Sequence, residues 1–179
     1  MFTWLETPRL ILRSLLPDDW QAILAYTSDP VVMRYLPEEQ PFTPEAAQQF
    51  TSDLACPDKF AINLKRTGEF IGHLLFCPHD SAERTREFGW VIHPEYQGHG
   101  YATEAARAVL KYGFETLGLH RVVASCDSRN LASQRVMEKL GMRREAHFKQ
   151  CLFRQGEWID EYFYAILAEE WRLIERPHA

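Results

Sequence analysis

Apolar residues in this chain recur with two periods, and their alternation sketches a mixed fold. Leu5 to Leu15 reads as an opening strand, with Pro8 ahead of its apolar centre Leu10-Ile11-Leu12. Trp20, Ile23, Leu24 and Thr27 then return at helical spacing behind Asp18 and Asp19, acids that complement a helix N-terminus. Asp29-Pro30 breaks that helix, and a short second piece, Val31 to Leu36, is closed by Pro37 and Pro41. Thr43-Pro44 opens a third helix with a capping hydroxyl and a proline at the first helical position, running to about Leu54. Phe60 to Leu64 and Phe70 to Cys77 are strands joined by a turn at Thr67-Gly68. A polar loop, Asp80 to Thr85, leads to a fourth strand, Glu87 to His93, which Pro94 ends.

The second half follows the same logic. Ala102, Ala105, Ala106, Val109, Leu110 and Phe114 share one helical face, and its small residues let the helix lie close to a sheet. Gly118 ends that helix, and Val122 to Cys126 forms a short fifth strand. Asn130 caps another helix, with Leu131, Val136, Met137 and Leu140 as its apolar face and Gly141 as its stop. Arg143 to Leu152 and Trp158 to Leu167 pair through a turn at Gln155-Gly156, and the tail after Trp171 is expected to fray. The order β-α-α-β-β-β-α-β-α-β-β predicts an α+β fold. There is no repeat and no linker, so one domain over residues 1–179 is expected.

Composition narrows the function classes. With 46% hydrophobic and 25% charged residues, the 179-residue chain is an ordinary globular protein with a sizeable core. A net charge of -5 disfavours a nucleic-acid surface. Cys56, Cys77, Cys126 and Cys151 form no C-x-x-C pair, so no metal site is expected. Apolar neighbours such as Phe76 and Leu152 suggest buried thiols in a reducing cytoplasm. Glu6 and Arg9 among the first ten residues, without a long apolar run, give no sign of a signal peptide or membrane span.

The chemistry concentrates between residues 87 and 104. A strand runs through a loop with Gly98 and Gly100 into a helix N-terminus, whose unpaired amides and partial positive charge suit an anion. A P-loop would need Gly-Lys-Ser or Gly-Lys-Thr, and a dinucleotide fingerprint would need a small residue where Thr103 stands. The spacing that fits is Q/R-x-x-G-x-G/A, filled by Gln97, Gly100 and Ala102. It resembles the pyrophosphate-binding loop of the GNAT superfamily of acyl-CoA-dependent N-acyltransferases. A second stretch, Asn130-Leu131-Ala132-Ser133 through Glu138-Lys139-Leu140-Gly141-Met142, resembles the family's N-x-x-S…E-K-L-G-F/M helix. Thr7-Pro8-Arg9-Leu10-Ile11-Leu12-Arg13 resembles the opening of the RimJ/RimL branch, the ribosomal-protein-alanine acetyltransferase type.

The resemblance implies a mostly antiparallel central sheet flanked by helices and splayed between its fourth and fifth strands. It implies acetyl-CoA as co-substrate and no metal. The pyrophosphate would meet backbone amides of Gln97, Gly98, His99, Gly100, Tyr101, Ala102 and Thr103. The pantetheine arm would pair with the strand at Val91 and Ile92, a backbone amide near Val91 would polarise the thioester carbonyl, and Asn130 would contact the cofactor. The tyrosine that many GNAT enzymes place one turn beyond Ser133 is absent, since Val136, Met137 and Glu138 stand there. Ser133 is therefore the expected acid for the departing thiolate, as in the RimL-like branch.

Glu87, Asp160 and Glu161 are candidate bases, and Trp90 and Trp158 are candidate walls of an amine pocket, although acids at strand ends are often merely solvated and tryptophans are often core. The resulting expectation is an acetyl-CoA-dependent N-acetyltransferase acting on a protein or peptide N-terminus by direct attack in a ternary complex, as a monomer or homodimer. A small amine or polyamine acceptor, or a non-catalytic acyl-CoA-binding module, are the alternatives.

Overall fold

The computed structural model describes residues 4–37, 40–53, 58–79 and 83–175. Eight strands form one sheet: β1 (Trp4–Glu6), β2 (Leu10–Ser14), β3 (Lys59–Leu64), β4 (Phe70–Pro78), β5 (Thr85–Ile92), β6 (Arg121–Asp127), β7 (Arg143–Arg154) and β8 (Glu157–Leu167). Their order across the sheet is β1-β2-β3-β4-β5-β6-β8-β7. Every neighbouring pair is antiparallel except β5 with β6.

Six α-helices occur among the described residues: α1 (Trp20–Thr27), α2 (Pro30–Met33), α3 (Pro44–Ser52), α4 (Tyr101–Lys111), α5 (Leu131–Lys139) and α6 (Ala168–Ile174). Several of their ends follow from single side chains. The Thr43 hydroxyl accepts from the Ala46 amide at the start of α3, and Asp29 accepts from Val31 at the start of α2. At the far end of α3 the buried Lys59 ammonium donates to the carbonyls of Phe50 and Asp53, where a cation suits the helix dipole.

The main core lies between the sheet and the second-half helices. Leu74, Phe76, Phe88 and Ile92 from the sheet meet Val109 and Leu110 of α4, Met137 and Leu140 of α5, and Trp171 of α6. On the other face α1 packs on β4, where Tyr26 stacks on His73 with ring centroids 5.9 Å apart.

Four sequence expectations need correction. The opening strand is two strands, because Thr7 to Arg9 turns the chain: the Thr7 amide donates to the Leu10 carbonyl, and the Leu10 amide donates to the Thr7 hydroxyl. The expected fourth and fifth strands are thus β5 and β6. Leu131 is 59% exposed, since it opens α5 on the side away from the core. The tail does not fray directly after Trp171, since α6 runs on to Ile174 and Glu175 ion-pairs with Arg107, while residues 176–179 lie outside the described residues. The capping contact of Glu170 with the Leu167 amide starts α6, and Trp171 stacks on Phe114 at 5.8 Å with 1% exposure. The cysteines are not uniformly buried thiols: Cys77 is disulfide-bonded, Cys151 is exposed, Cys126 is free and buried, and Cys56 lies outside the described residues.

Trp171 anchors the last element of the fold. Trp171→Ala is expected to cost about 3–5 kcal/mol through the cavity left against Phe114. Urea unfolding measures this, and a loss under about 1 kcal/mol would show that α6 is a dispensable tail.

Candidate active site

The site begins where the sheet stops pairing. The parallel ladder joins Thr85 to Arg121, Arg86 to Val122 and Glu87 to Val123, and then ends, although β5 continues to Ile92 and β6 to Asp127. The ladder to β4 decides which groups of β5 face the gap. His93 donates to Ile71 and His79 to Thr85, so the odd-numbered residues of β5 belong to the pairs hydrogen-bonded with β4. The Phe88 carbonyl, the backbone groups of Trp90 and the Ile92 amide are left to face the splay. Val91 contributes its side chain there, not its amide, because that amide is committed to the pairing with His73. Gly72 allows β4 to lie this close, since a Cβ there would meet the Val91 oxygen at 2.3 Å.

The splay opens a cavity of about 360 Å³. Glu87 and Val91 line it from β5, Ser125, Cys126 and Asp127 from β6, Asn130 and Ser133 from the start of α5, and Glu161 from β8. Asn130 caps α5 by accepting from the Ser133 amide at 3.1 Å. Its oxygen is spent there, which leaves its amide nitrogen to be offered to the cavity. The Ser133 hydroxyl makes no hydrogen bond among the described residues.

Beyond β5 the loop turns on Gly98 (φ 79°) and Gly100 (φ 80°), both in the left-handed region that glycine tolerates. Gly100 is the N-cap of the eleven-residue α4, and the first helical bond runs from Glu104 to the Gly100 carbonyl. The amides of Tyr101, Ala102 and Thr103 therefore precede the ladder and remain for a ligand. A Cβ at Gly98 would meet nothing within 4 Å, and one at Gly100 only the Arg9 guanidinium at 3.6 Å, so space above the loop is open. The loop is held from two sides. The Gln97 side chain donates to the Ile92 carbonyl at 2.9 Å. Arg9 donates to the His99 carbonyl, ion-pairs with Glu104 and lies over the Tyr101 ring, while the Thr7 hydroxyl also donates to Glu104.

A strand end, an open loop of amides and a splayed, carboxylate-bearing cavity meet in one place, and comparison with known proteins gives this arrangement its family. The model of the acetyltransferase (GNAT) domain matches residues 9–143. The chain belongs to the GNAT acetyltransferases. It is 48% identical over 171 residues to the uncharacterized N-acetyltransferase YnaD of Bacillus subtilis (strain 168), covering 93% of this chain and 98% of that protein. The crystal structure of an acetyltransferase (GNAT family) from Bacillus anthracis superposes with a TM-score of 0.86 at 43% identity, over 93% of this chain and 99% of that one. Spermidine N(1)-acetyltransferase of Escherichia coli (strain K12) is 28% identical over 149 residues, covering 82% of this chain and 80% of that protein. GNAT-fold acetyltransferases use acetyl-CoA, and no group of side chains able to hold a metal occurs among the described residues.

Within this GNAT acetyltransferase the candidate residues separate. Glu87, Glu161, Val91, Asn130 and Ser133 share the cavity. Gly98 to Thr103 form the loop beyond it. Gln97 belongs to that loop but its amide already donates to the Pro94 carbonyl, which corrects the expectation that it faces a phosphate. The Ile92 side chain is core. Trp90 lines the cavity, whereas Trp158 lies 60% exposed against Phe153, away from it. Asp160 is also elsewhere, accepting from His147 and the Gln150 amide.

The carboxylates of the cavity are not alike. Burial pushes Glu87 above the usual carboxylate range, and Glu161 adds to this while His79 and Ser125 pull partly back. Burial works against Asp127 too, but bonds from the Arg129 side chain and amide outweigh it and hold that carboxyl low. Burial, with Asp127 and Glu161, pushes the Cys126 thiol up to about 12, so this lining cysteine is no nucleophile near neutral pH. Sequence reading passed over the Arg9–Glu104 brace, because a contact between residues 95 positions apart leaves no local pattern, and also over the Asp127–Arg129 pair, two residues apart in the turn after β6.

Gly100→Val tests the loop. A β-branched residue at φ 80° is strained by roughly 1–2 kcal/mol, and its side chain fills the open space above the amides. Acetyl-CoA affinity, measured by calorimetry on the folded variant, is expected to fall at least about tenfold. Unchanged affinity would remove this loop from the binding site.

Proposed function

We propose that this GNAT acetyltransferase acetylates the α-amine of a peptide or protein N-terminus, as one domain, by direct attack in a ternary complex. The observation that carries this is the convergence of Glu87, Ser133 and the unpaired edge of β5 in one cavity below the α4 loop. In this reading the amides of Gly98 to Thr103 hold the pyrophosphate. The edge of β5 centred on Trp90 pairs with the pantetheine arm, and an amide of that edge polarises the thioester carbonyl. Asn130 contacts the arm through its amide nitrogen, and the Ser133 hydroxyl donates to the departing sulfur. The high Cys126 thiol supports direct attack over an acyl-cysteine route.

The attacking nitrogen must be neutral. At pH 7 roughly one α-amine in ten is neutral, against fewer than one lysine in a thousand, from reference pKa values of about 8 and 10.4. Glu87, raised by burial, is the better base of the cavity's two candidates. It stands three residues before Trp90, roughly 10 Å along the strand at about 3.3 Å per residue, so it takes the proton through water. The phrase Thr7 to Arg13, which resembles the RimJ/RimL opening, supports an N-terminal acceptor.

The experiment is thiol release from acetyl-CoA with a panel of free and N-terminally blocked peptides. Release only with free N-termini supports the reading, and release with none of them sinks it. Ser133→Ala is expected to lower kcat at least about tenfold with little change in acetyl-CoA affinity. A fall in affinity alone would mark Ser133 as a binding residue. The two acids give opposite signatures in the pH–rate profile. A raised Glu87 sets the acidic limb above the ordinary carboxylate range, so Glu87→Gln removes that limb and lowers kcat by about 10²-fold or more. Glu161 helps to raise Glu87, so Glu161→Gln lowers the pKa of Glu87 and moves the limb to lower pH. If neither variant moves the limb, neither acid is the base.

A further inference from the structure

The cavity has two unlike walls. The β6, α5, β7 and β8 side carries Ser125, Asp127, Asn130, Ser133, Arg154 and Glu161, and Glu87 stands on β5 between the two sides. The opposite side, built by β4 and the helices α1 to α3, carries Phe42, Phe50, His73 and Leu75 among others, with no ionised group among its described lining residues. Phe42, Phe50 and His73 form one continuous surface, with ring centroids 5.7 Å and 5.1 Å apart in turn. Gly89, opposite Leu75 in the ladder, leaves the floor between the two walls bare of side chain, and a Cβ there would meet nothing within 4 Å.

His73 is the one polar side chain in this apolar wall besides those of Thr27 and Tyr35. It is buried, and the Tyr26 hydroxyl lies 2.6 Å from its Nδ1. Tyr26 is itself buried and has no other hydrogen-bond partner among the described residues, so its hydroxyl donates to Nδ1 and the ring proton sits on Nε2. That nitrogen has no partner among the described residues and is not among their enclosed unsatisfied atoms, which leaves it open to the cavity. Burial, with the nearby Lys59, pulls His73 down to about 3, so it is a neutral donor and not a base at working pH. The buried Lys59 ammonium lies 4.9 Å from the Phe50 ring, behind this wall.

Resting on the peptide-amine reading above, we propose that the acceptor's first residues are uncharged, with a large apolar or aromatic side chain against Phe42 and Phe50 and a carbonyl oxygen on His73 Nε2. A second ammonium against the Phe42 and Phe50 rings would lose its water at a surface that itself carries no carboxylate, and would face Lys59 across one aromatic ring. The wall therefore selects against polyamines and lysine-rich N-termini, although one relative is a spermidine acetyltransferase.

The test compares three amines as acceptors: a tripeptide beginning Phe-Leu, one beginning Lys-Lys, and spermidine. The Phe-Leu peptide is expected to show kcat/KM at least tenfold above either competitor. Phe42→Glu, at the half-buried rim of the wall, puts a carboxylate there and is expected to narrow or reverse that ratio. His73→Phe keeps the apolar surface, loses the donor, and is expected to raise KM for the peptide at least fivefold with kcat little changed. Equal rates for the three amines, or a preference for spermidine, overturn the proposal while leaving the acetyltransferase intact. Should no amine turn over, binding to the protein saturated with coenzyme A decides the inference by itself. Calorimetry is expected to show the Phe-Leu peptide at least tenfold tighter than spermidine, and equal or reversed affinities overturn it.

Discussion

The structure depends on one interruption. β5 and β6 run parallel and are hydrogen-bonded only through Glu87 and Val123, after which they part. A parallel pair needs a crossover, and here the crossover is the loop and α4, which the core residues Val109 and Leu110 fix against the sheet. Parting the strands leaves the backbone groups of Trp90, with the Phe88 carbonyl and the Ile92 amide, facing the gap in the middle of a sheet. Such groups are costly unless something hydrogen-bonds to them. A ligand arm lying as an extra strand is what that edge lacks, and the α4 N-terminus is aligned at the end of the same strand to receive its anionic part.

The rest of the site can be read as bracing for that opening. Gln97 ties the loop to the Ile92 carbonyl, the last backbone acceptor of the strand. Arg9 reaches from the start of β2 to the His99 carbonyl and to Glu104, while the Thr7 hydroxyl holds the other oxygen contact of Glu104. The turn that divides the first strand in two therefore has a second use, because it brings Thr7 and Arg9 to the N-terminal turn of α4. On the far side of the gap Asp127 holds Arg129, which also reaches Glu157, and so fixes the loop leading into Asn130.

Much of this was legible because it is local. The strand–glycine–helix run and the Asn130 cap are short-range patterns, and both appear as expected, with Gly98 and Gly100 at positive φ and Asn130 accepting from Ser133. What was not legible is non-local. Leu131 follows the helical stripe yet stands exposed at the first position of α5. Val91 looked like the residue offering its amide to a ligand, but the phase of a ladder with β4 decides that, and the phase is a matter of register between residues 18 positions apart. Trp158 and Asp160 carried the right chemistry on the right strand. The long β7–β8 hairpin runs past the cavity, so only Glu161 of that group reaches it.

Placing two carboxylates of one cavity under different control has a chemical consequence. Asp127 is locked ionised by Arg129 and can neither take nor give a proton near neutral pH. Burial, with the neighbouring Asp127 and Glu161, holds the Cys126 thiol protonated, which keeps a nucleophilic sulfur out of a site that handles a thioester. Glu87 has no guanidinium partner in the cavity, and burial leaves it more basic than a surface glutamate. The same desolvation that would penalise a charged substrate body against Phe42 and Phe50 thus raises Glu87. Apolar selectivity and basicity at this site are two effects of a single property, the exclusion of water by the walls of the splay.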